Sequence, residues 1–154
     1  MHDAHTQLIA RFYAAFAQRD ASGMAACCHA DIHFTDATFD LRGPKVRLLW
    51  QMLCAAERDL RIDVRDLCAN ESWGSAQCEA HYTFPDTGRM VRNRIDAEFA
   101  FRDGLIVRHI DSFDFWAWSR QALGTPGWLL GWSEALRSKV RVRAGERLNA
   151  FAQA

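Results

Sequence analysis

The side chains of this chain best suited to chemistry are His109 and Asp111, two residues apart in the stretch from Arg89 to Trp118, RMVRNRIDAEFAFRDGLIVRHIDSFDFWAW. Alternate residues of a strand share a face, so Val107, His109, Asp111, Phe113 and Phe115 are expected together on an otherwise apolar surface. A carboxylate on such a face is costly unless it is paired, protonated or at work. Asp111 therefore reads in two ways. It is a general base or acid, oriented by His109 or Asn93, or it is a structural acid bonded to backbone amides or an arginine. His109 divides in the same way, between catalyst and satisfied structural histidine. Asp36, in the run HFTDAT, is a second candidate for proton transfer, or the cap of the loop in which it sits. His29, Asp31 and His33 lie close in sequence, but His29 precedes the strand that carries the other two, and no second cluster completes a site. No metal and no cofactor are expected.

These residues need a sheet to hold them. Val91, Asn93, Ile95, Ala97, Phe99 and Phe101 alternate with Met90, Arg92, Arg94, Asp96 and Glu98, and Arg102-Asp103-Gly104 turns the chain into the next strand. Upstream, Leu60, Ile62 and Val64 alternate with Arg61, Asp63 and Arg65, and Ala76, Cys78, Ala80, Tyr82 and Phe84 alternate with Gln77, Glu79, His81 and Thr83. Pro85-Asp86-Thr87-Gly88 is a turn.

Helices precede the sheet. Leu8, Ile9, Phe12, Tyr13 and Phe16 recur at helical spacing over Thr6 to Arg19, with Asp3 or Thr6 as cap. ASGMAACC reads as a short second helix capped by Asp20, with a strand starting at Ile32. Gly43-Pro44 opens a third helix, whose apolar face runs through Val46, Leu49, Trp50, Met52, Leu53 and Ala56. Thr35 to Arg42 reads as a loop or a short strand pair. After Gly124-Thr125-Pro126-Gly127, Leu136, Val140, Ala144, Leu148 and Phe151 form the stripe of a C-terminal helix. Arg137, Lys139, Arg141, Arg143 and Arg147 occupy its other side, read as a solvated face. The order is α+β, with a curved antiparallel sheet covered by three N-terminal helices.

Composition sets bounds. A chain of 154 residues suits one domain, and 19 basic residues cancel 19 acidic ones, which gives no electrostatic reason for nucleic acid or an anionic membrane as partner. Five cysteines without CxxC spacing read as reduced thiols of a cytoplasmic protein. No apolar run approaches the ~20 residues of a membrane span.

The order of elements, together with two motifs, resembles the nuclear transport factor 2-like superfamily. LIARFYAAFAQRDASGMAACCHADIHFTD is similar to its opening, and FRDGLIVRHIDSFDFWAWSRQALG to the closing motif of its SnoaL-like members, the polyketide cyclases and their relatives. The resemblance implies a cone-shaped barrel over residues 1–124, with residues 125–154 as a helical extension of the same domain. It implies a cavity for a small apolar organic ligand, bounded by Phe12, Tyr13, Trp50, Tyr82, Asn93, Phe99 and Phe113.

Ketosteroid isomerases, limonene epoxide hydrolases and polyketide cyclases share the fold. The cyclase and hydrolase carboxylate falls on Asp111, with Ile110 where those enzymes carry arginine. The isomerase base falls on Asp36, but Phe12 occupies the place of its oxyanion tyrosine, with Tyr13 one residue off, and Ala97 that of its second aspartate. Cys78 and Ala80 occupy the hydrolase's water-positioning places. The expectation is thus a cofactor-free isomerase, cyclase or hydrolase working through Asp111, Asp36 and His109, the alternative a non-catalytic binding module. The resemblance implies a homodimer through the charged face of the sheet (Arg61, Asp63, Arg65, Glu79, Arg92, Arg94, Asp96, Glu98), where cross-strand salt pairs facing water would look the same. Trp116, Trp118, Trp128 and Trp132 crowd the segment after the last strand and read as a lid over the cavity or, preferably, as packing within that dimer.

Overall fold

The computed structural model describes residues 2–56 and 59–153, with the side chains of residues 2, 3 and 56 outside that description. The caps and contacts expected of Asp3 and Ala56 therefore lie outside the described residues. The elements run α1 (His2–Ala17), α2 (Ala21–Ala26), β1 (Cys28–Thr35), β2 (Asp40–Arg42), α3 (Pro44–Ala56), β3 (Arg61–Ala69), β4 (Trp73–Thr83), β5 (Met90–Arg102), β6 (Leu105–Ser112), α4 (Phe115–Leu123), α5 (Thr125–Leu130) and α6 (Glu134–Ala152). The strands form one curled, unclosed six-stranded sheet in the order β2-β1-β6-β5-β4-β3. All neighbours are antiparallel except β1 and β6, which run parallel.

Local chemistry explains the element ends. Asp20 caps α2 by accepting from Gly23 N at 3.0 Å. Asp103 (φ 55°) and Gly104 (φ 74°) form the two-residue connection between β5 and β6, both in the left-handed region that such tight hairpins require. Asp114 caps α4 through Ala117 N, and Ser133 caps α6 through Leu136 N. Gly127 lets α5 press onto α4, because a Cβ there would stand 2.0 Å from the Ser119 carbonyl oxygen.

Two expectations about strand limits are corrected. β1 begins at Cys28, four residues before Ile32, since Ile106 N bonds the Cys27 carbonyl and draws the chain into the sheet. The last strand stops at Ser112; Phe115 to Trp118 are helical because Asp114 caps a helix there. The face shared by His109 and Asp111 is also narrower than alternation suggests. The β5–β6 register shifts beside Val107, so Ile106 takes the fully buried position and Val107 is half-buried.

The main core lies between the concave sheet face and helices α1 and α3, built on Leu8, Ile9, Phe12, Val46, Leu49, Trp50, Phe99 and Ile106. A smaller cluster of Val91, Phe115, Trp118 and Ala122 fixes α4 against the start of β5. No helix of the described residues is long and apolar enough to cross a membrane.

Candidate active site

A cavity of about 370 Å³ opens between the concave sheet face and helices α1, α3, α4 and α6. Its deep end is set by β6. His109 and Asp111 pair across the ladder with Phe99 and Ala97 of β5, and His109 also lies beside Phe34 of β1. The rings of Phe34 and Phe99 flank the imidazole at 5.0 and 4.5 Å, and those of Phe12 and Trp50 close over it at 5.4 and 6.0 Å. His109 is only 2% exposed. Its Nε2 lies 2.7 Å from Asp111 Oδ1, while Nδ1 is buried with no hydrogen-bond partner. A buried N–H without an acceptor costs more than a bare ring nitrogen, so the tautomer that fits this box carries its proton on Nε2 and donates it to Asp111.

Asp111 lines the cavity. No arginine and no backbone amide of the described residues binds it; His109 is its partner, through one oxygen. Asp36 directly follows the Thr35–Ile110 pair of β1 and β6 and so lies on the Asp111 side of the cavity, with Oδ1 accepting from Thr38 N, Thr38 Oγ1 and Phe39 N at 2.8, 2.9 and 2.7 Å. It is thus the cap of its loop and a cavity acid at once. Burial, and then the charge of Asp111, push the Asp36 carboxyl up to about 6 against the pull of those three donors. Burial and Asp111 likewise hold the Tyr13 phenol well above its usual value, so its hydroxyl stays a donor. Cys78, also in the wall, is pushed up to about 12, first by burial and then by Asp111, and is no nucleophile at neutral pH.

Of the residues expected around the cavity, Phe12, Tyr13, Trp50, Tyr82 and Phe113 line it together with Asp36, His109 and Asp111. Asn93 and Phe99 are buried but lie outside the lining: Phe99 backs the imidazole, and Asn93 pairs with Ala80 along β4. Phe12, expected at the place of an oxyanion tyrosine, and Tyr13 both reach the cavity, so a phenol is present one residue on. Trp118 is buried and donates from Nε1 to the Tyr82 hydroxyl at 2.8 Å, which fixes α4 as one wall.

Sequence reasoning missed the contribution of α6. Leu136, Val140 and Ala144 line the cavity, and so do Lys139, Arg143 and Arg147 from the side read as a solvated face. The signal was available: those three cations recur every four residues, each next to a member of the apolar stripe, so they border whatever the stripe covers.

The helix is tied to both rims. Arg141 Nε donates to the Ala37 carbonyl at 3.0 Å, and Arg143 and Arg147 bind Asp86 on the turn after β4. On the opposite, convex face, Arg92 and Arg94 lie 2.7 and 3.4 Å from the Glu79 carboxylate and His81 lies 2.9 Å away. The Arg92 hydrogen bond is foremost in lowering Glu79 to about 2. Among the described residues Asp63, Glu79 and His81 are the group close enough to share an ion, but these partners already occupy both Glu79 oxygens. His29 and His33 are held apart by Asp103 and Asp40.

A curled sheet closed by helices over an apolar cavity with acids at its deep end defines the class, a nuclear transport factor 2-like fold. The chain belongs to the SnoaL-like domain family, which residues 9–109 match. No curated protein matches it. Among solved structures it is similar to a candidate polyketide cyclase from Xanthomonas campestris, at 23% identity over 78% of this chain and 97% of that one, with a TM-score of 0.64. An epoxide hydrolase from M. tuberculosis gives 16% identity over 79% and 91%, with a TM-score of 0.63. TerC, co-crystallised with polyporic acid, gives 17% over 77% and 97%, with a TM-score of 0.65.

Proposed function

We propose that this protein is a cofactor-free acid–base enzyme acting on an apolar ring or carbonyl compound, with Asp111 as the proton-transfer residue. One observation carries the reading: Asp111 gives one oxygen to His109 and faces an open apolar cavity, not a closed cluster of hydrogen bonds. His109 fixes the carboxylate by donating its Nε2–H to Oδ1. Tyr13 offers a hydroxyl to the ligand's carbonyl or ether oxygen, where negative charge develops as a proton leaves carbon. Asp36 keeps Oδ2 for the ligand, and at about 6 it exchanges protons near neutral pH, which suits returning a proton at a second position. Isomerisation and ring closure can run on this set, whereas epoxide hydrolysis would also need water positioned without the residues replaced by Cys78 and Ala80; solved structures of the same fold are named for all three reactions. TerC, of the same fold and crystallised with polyporic acid, supports a small organic molecule as ligand.

Turnover of a panel of cyclic ketones and epoxides by wild type and Asp111→Asn tests the assignment. Activity should disappear in the variant while its circular dichroism spectrum stays that of wild type. Equal turnover in the two would refute it.

Residues 125–154 extend the same domain in this reading, supported by the side chains with which α6 walls the cavity. A homodimer is also part of it. The mixed charges around Glu79 on the convex sheet face favour pairing with a second copy, and so do Trp128 and Trp132, at 57% and 73% exposure. Five free thiols, three of them buried, fit a reducing cytoplasm.

A further inference from the structure

The cavity mouth carries charge that proton transfer at Asp111 leaves unused. Lys139, Arg143 and Arg147 stand on α6 beside the apolar residues that wall the cavity. Asp86 is the acid facing them: Arg143 Nε donates to its Oδ2 at 3.1 Å, and Arg147 pairs with its Oδ1. No carboxylate of the described residues pairs with Lys139. Counting the rim residues that line the cavity, three cations less one acid leave a formal charge of +2, with Glu146 a further acid near Arg143 outside the lining. The deep end holds the opposite sign, in Asp36 and Asp111. An apolar channel therefore runs between an acidic floor and a cationic rim.

We propose that the ligand is an apolar ring compound bearing a carboxylate, held at the mouth by Lys139 and Arg143 while the ring fills the aromatic interior. The proposal rests on the cavity being a small-molecule site, and it names the class of molecule. An anionic group driven to the floor would meet like charge where little water screens it. At the rim it meets an ammonium that is still hydrated, so pairing there costs little desolvation. Arg143 spends Nε on Asp86 and keeps its terminal N–H groups for the ligand. Burial of the ring supplies affinity and the two charges supply direction, so the ligand enters ring first in a single pose. The reacting atom then lies at the end of the molecule remote from its carboxylate, against Asp111, Asp36 and Tyr13. The rim cations sit on α6, beyond the residues that match the family, so the charge requirement belongs to this chain rather than to the fold.

Calorimetric titration with 2-naphthoate and its neutral isostere 2-naphthamide tests this without any turnover. Wild type should bind the carboxylate about tenfold more tightly at low salt, the size expected of one partly exposed charge-assisted contact. The ratio should fall to near one in Lys139→Gln and rise above wild type in Asp86→Asn, which frees Arg143 and Arg147. Both probes sample the same folded fraction, so the ratio is insensitive to partial unfolding of a variant. A wild-type ratio near one, an unchanged ratio in Lys139→Gln, or a ratio in Asp86→Asn no higher than wild type overturns the proposal. Binding of both probes without preference sinks the carboxylate alone; failure of both to bind at millimolar concentration sinks the small-molecule cavity with it.

Discussion

Asp111 keeps its second carboxylate oxygen toward the cavity, so it can take a proton from a ligand without giving up His109. Asparagine at 111 keeps the shape and removes the basicity, and a loss of about 10²- to 10⁴-fold in kcat is expected, with Tm held within a few degrees. Asp36 gives a pH signature of its own. Its folded value of about 6 stands above the usual 3.8, so folding disfavours its charged form. The penalty is fully present above pH 6 and disappears as pH falls toward 3.8. Wild type should therefore gain up to about 3 kcal/mol on this account between pH 7 and pH 4, and Asp36→Asn should lack that gain. Urea denaturation of both proteins across that range reads it directly; parallel pH curves would contradict it. Glu79, lowered to about 2, acts in the opposite sense as pH falls below its usual 4.5, but equally in both proteins, so the difference between them isolates Asp36. Asp111, His109 and Asp36 were legible in the sequence because a charge on an alternating apolar face is conspicuous. Phe12 and Tyr13 were both expected at the cavity and both line it; that the Tyr13 hydroxyl is the donor there was not legible, since that depends on how the helix lies over the sheet.

At the scale of elements, alternation located β3, β4 and β5 and their buried faces, and the Pro44 and Asp20 helix starts followed from local capping. What stayed hidden was non-local. The parallel pairing of β1 with β6 carries no mark in either strand, and neither does the register shift beside Val107 that puts Ile106 rather than Val107 in the core. The apolar stripe of α6 was visible, but a stripe shows only that a helix is covered, not by what. Its partner is the cavity. The α4–α5 junction makes a separate prediction. Gly127→Ala places a methyl into the Ser119 carbonyl, and a destabilisation of about 1–3 kcal/mol is expected from overpacking at so close a contact. An unchanged denaturation midpoint would show that the two helices part freely.

For the whole molecule, a second copy would meet the convex face of the sheet, where Arg65, Arg92, Arg94 and His81 surround Glu79. Sedimentation equilibrium at micromolar concentration should give a dimer, and Arg92→Glu with Arg94→Glu should shift it to monomer by setting acids against Glu79. A wild-type monomer would remove the dimer from the account. The central claim, that Asp111 moves a proton at a ligand in the cavity, is tested most directly by hydrogen exchange at the carbon next to the carbonyl of 2-tetralone in D2O, followed by proton NMR. Wild type should accelerate deuterium uptake over buffer, and Asp111→Asn should return it to the buffer rate. Equal acceleration by the two proteins would contradict the claim, and so would the absence of any acceleration by wild type.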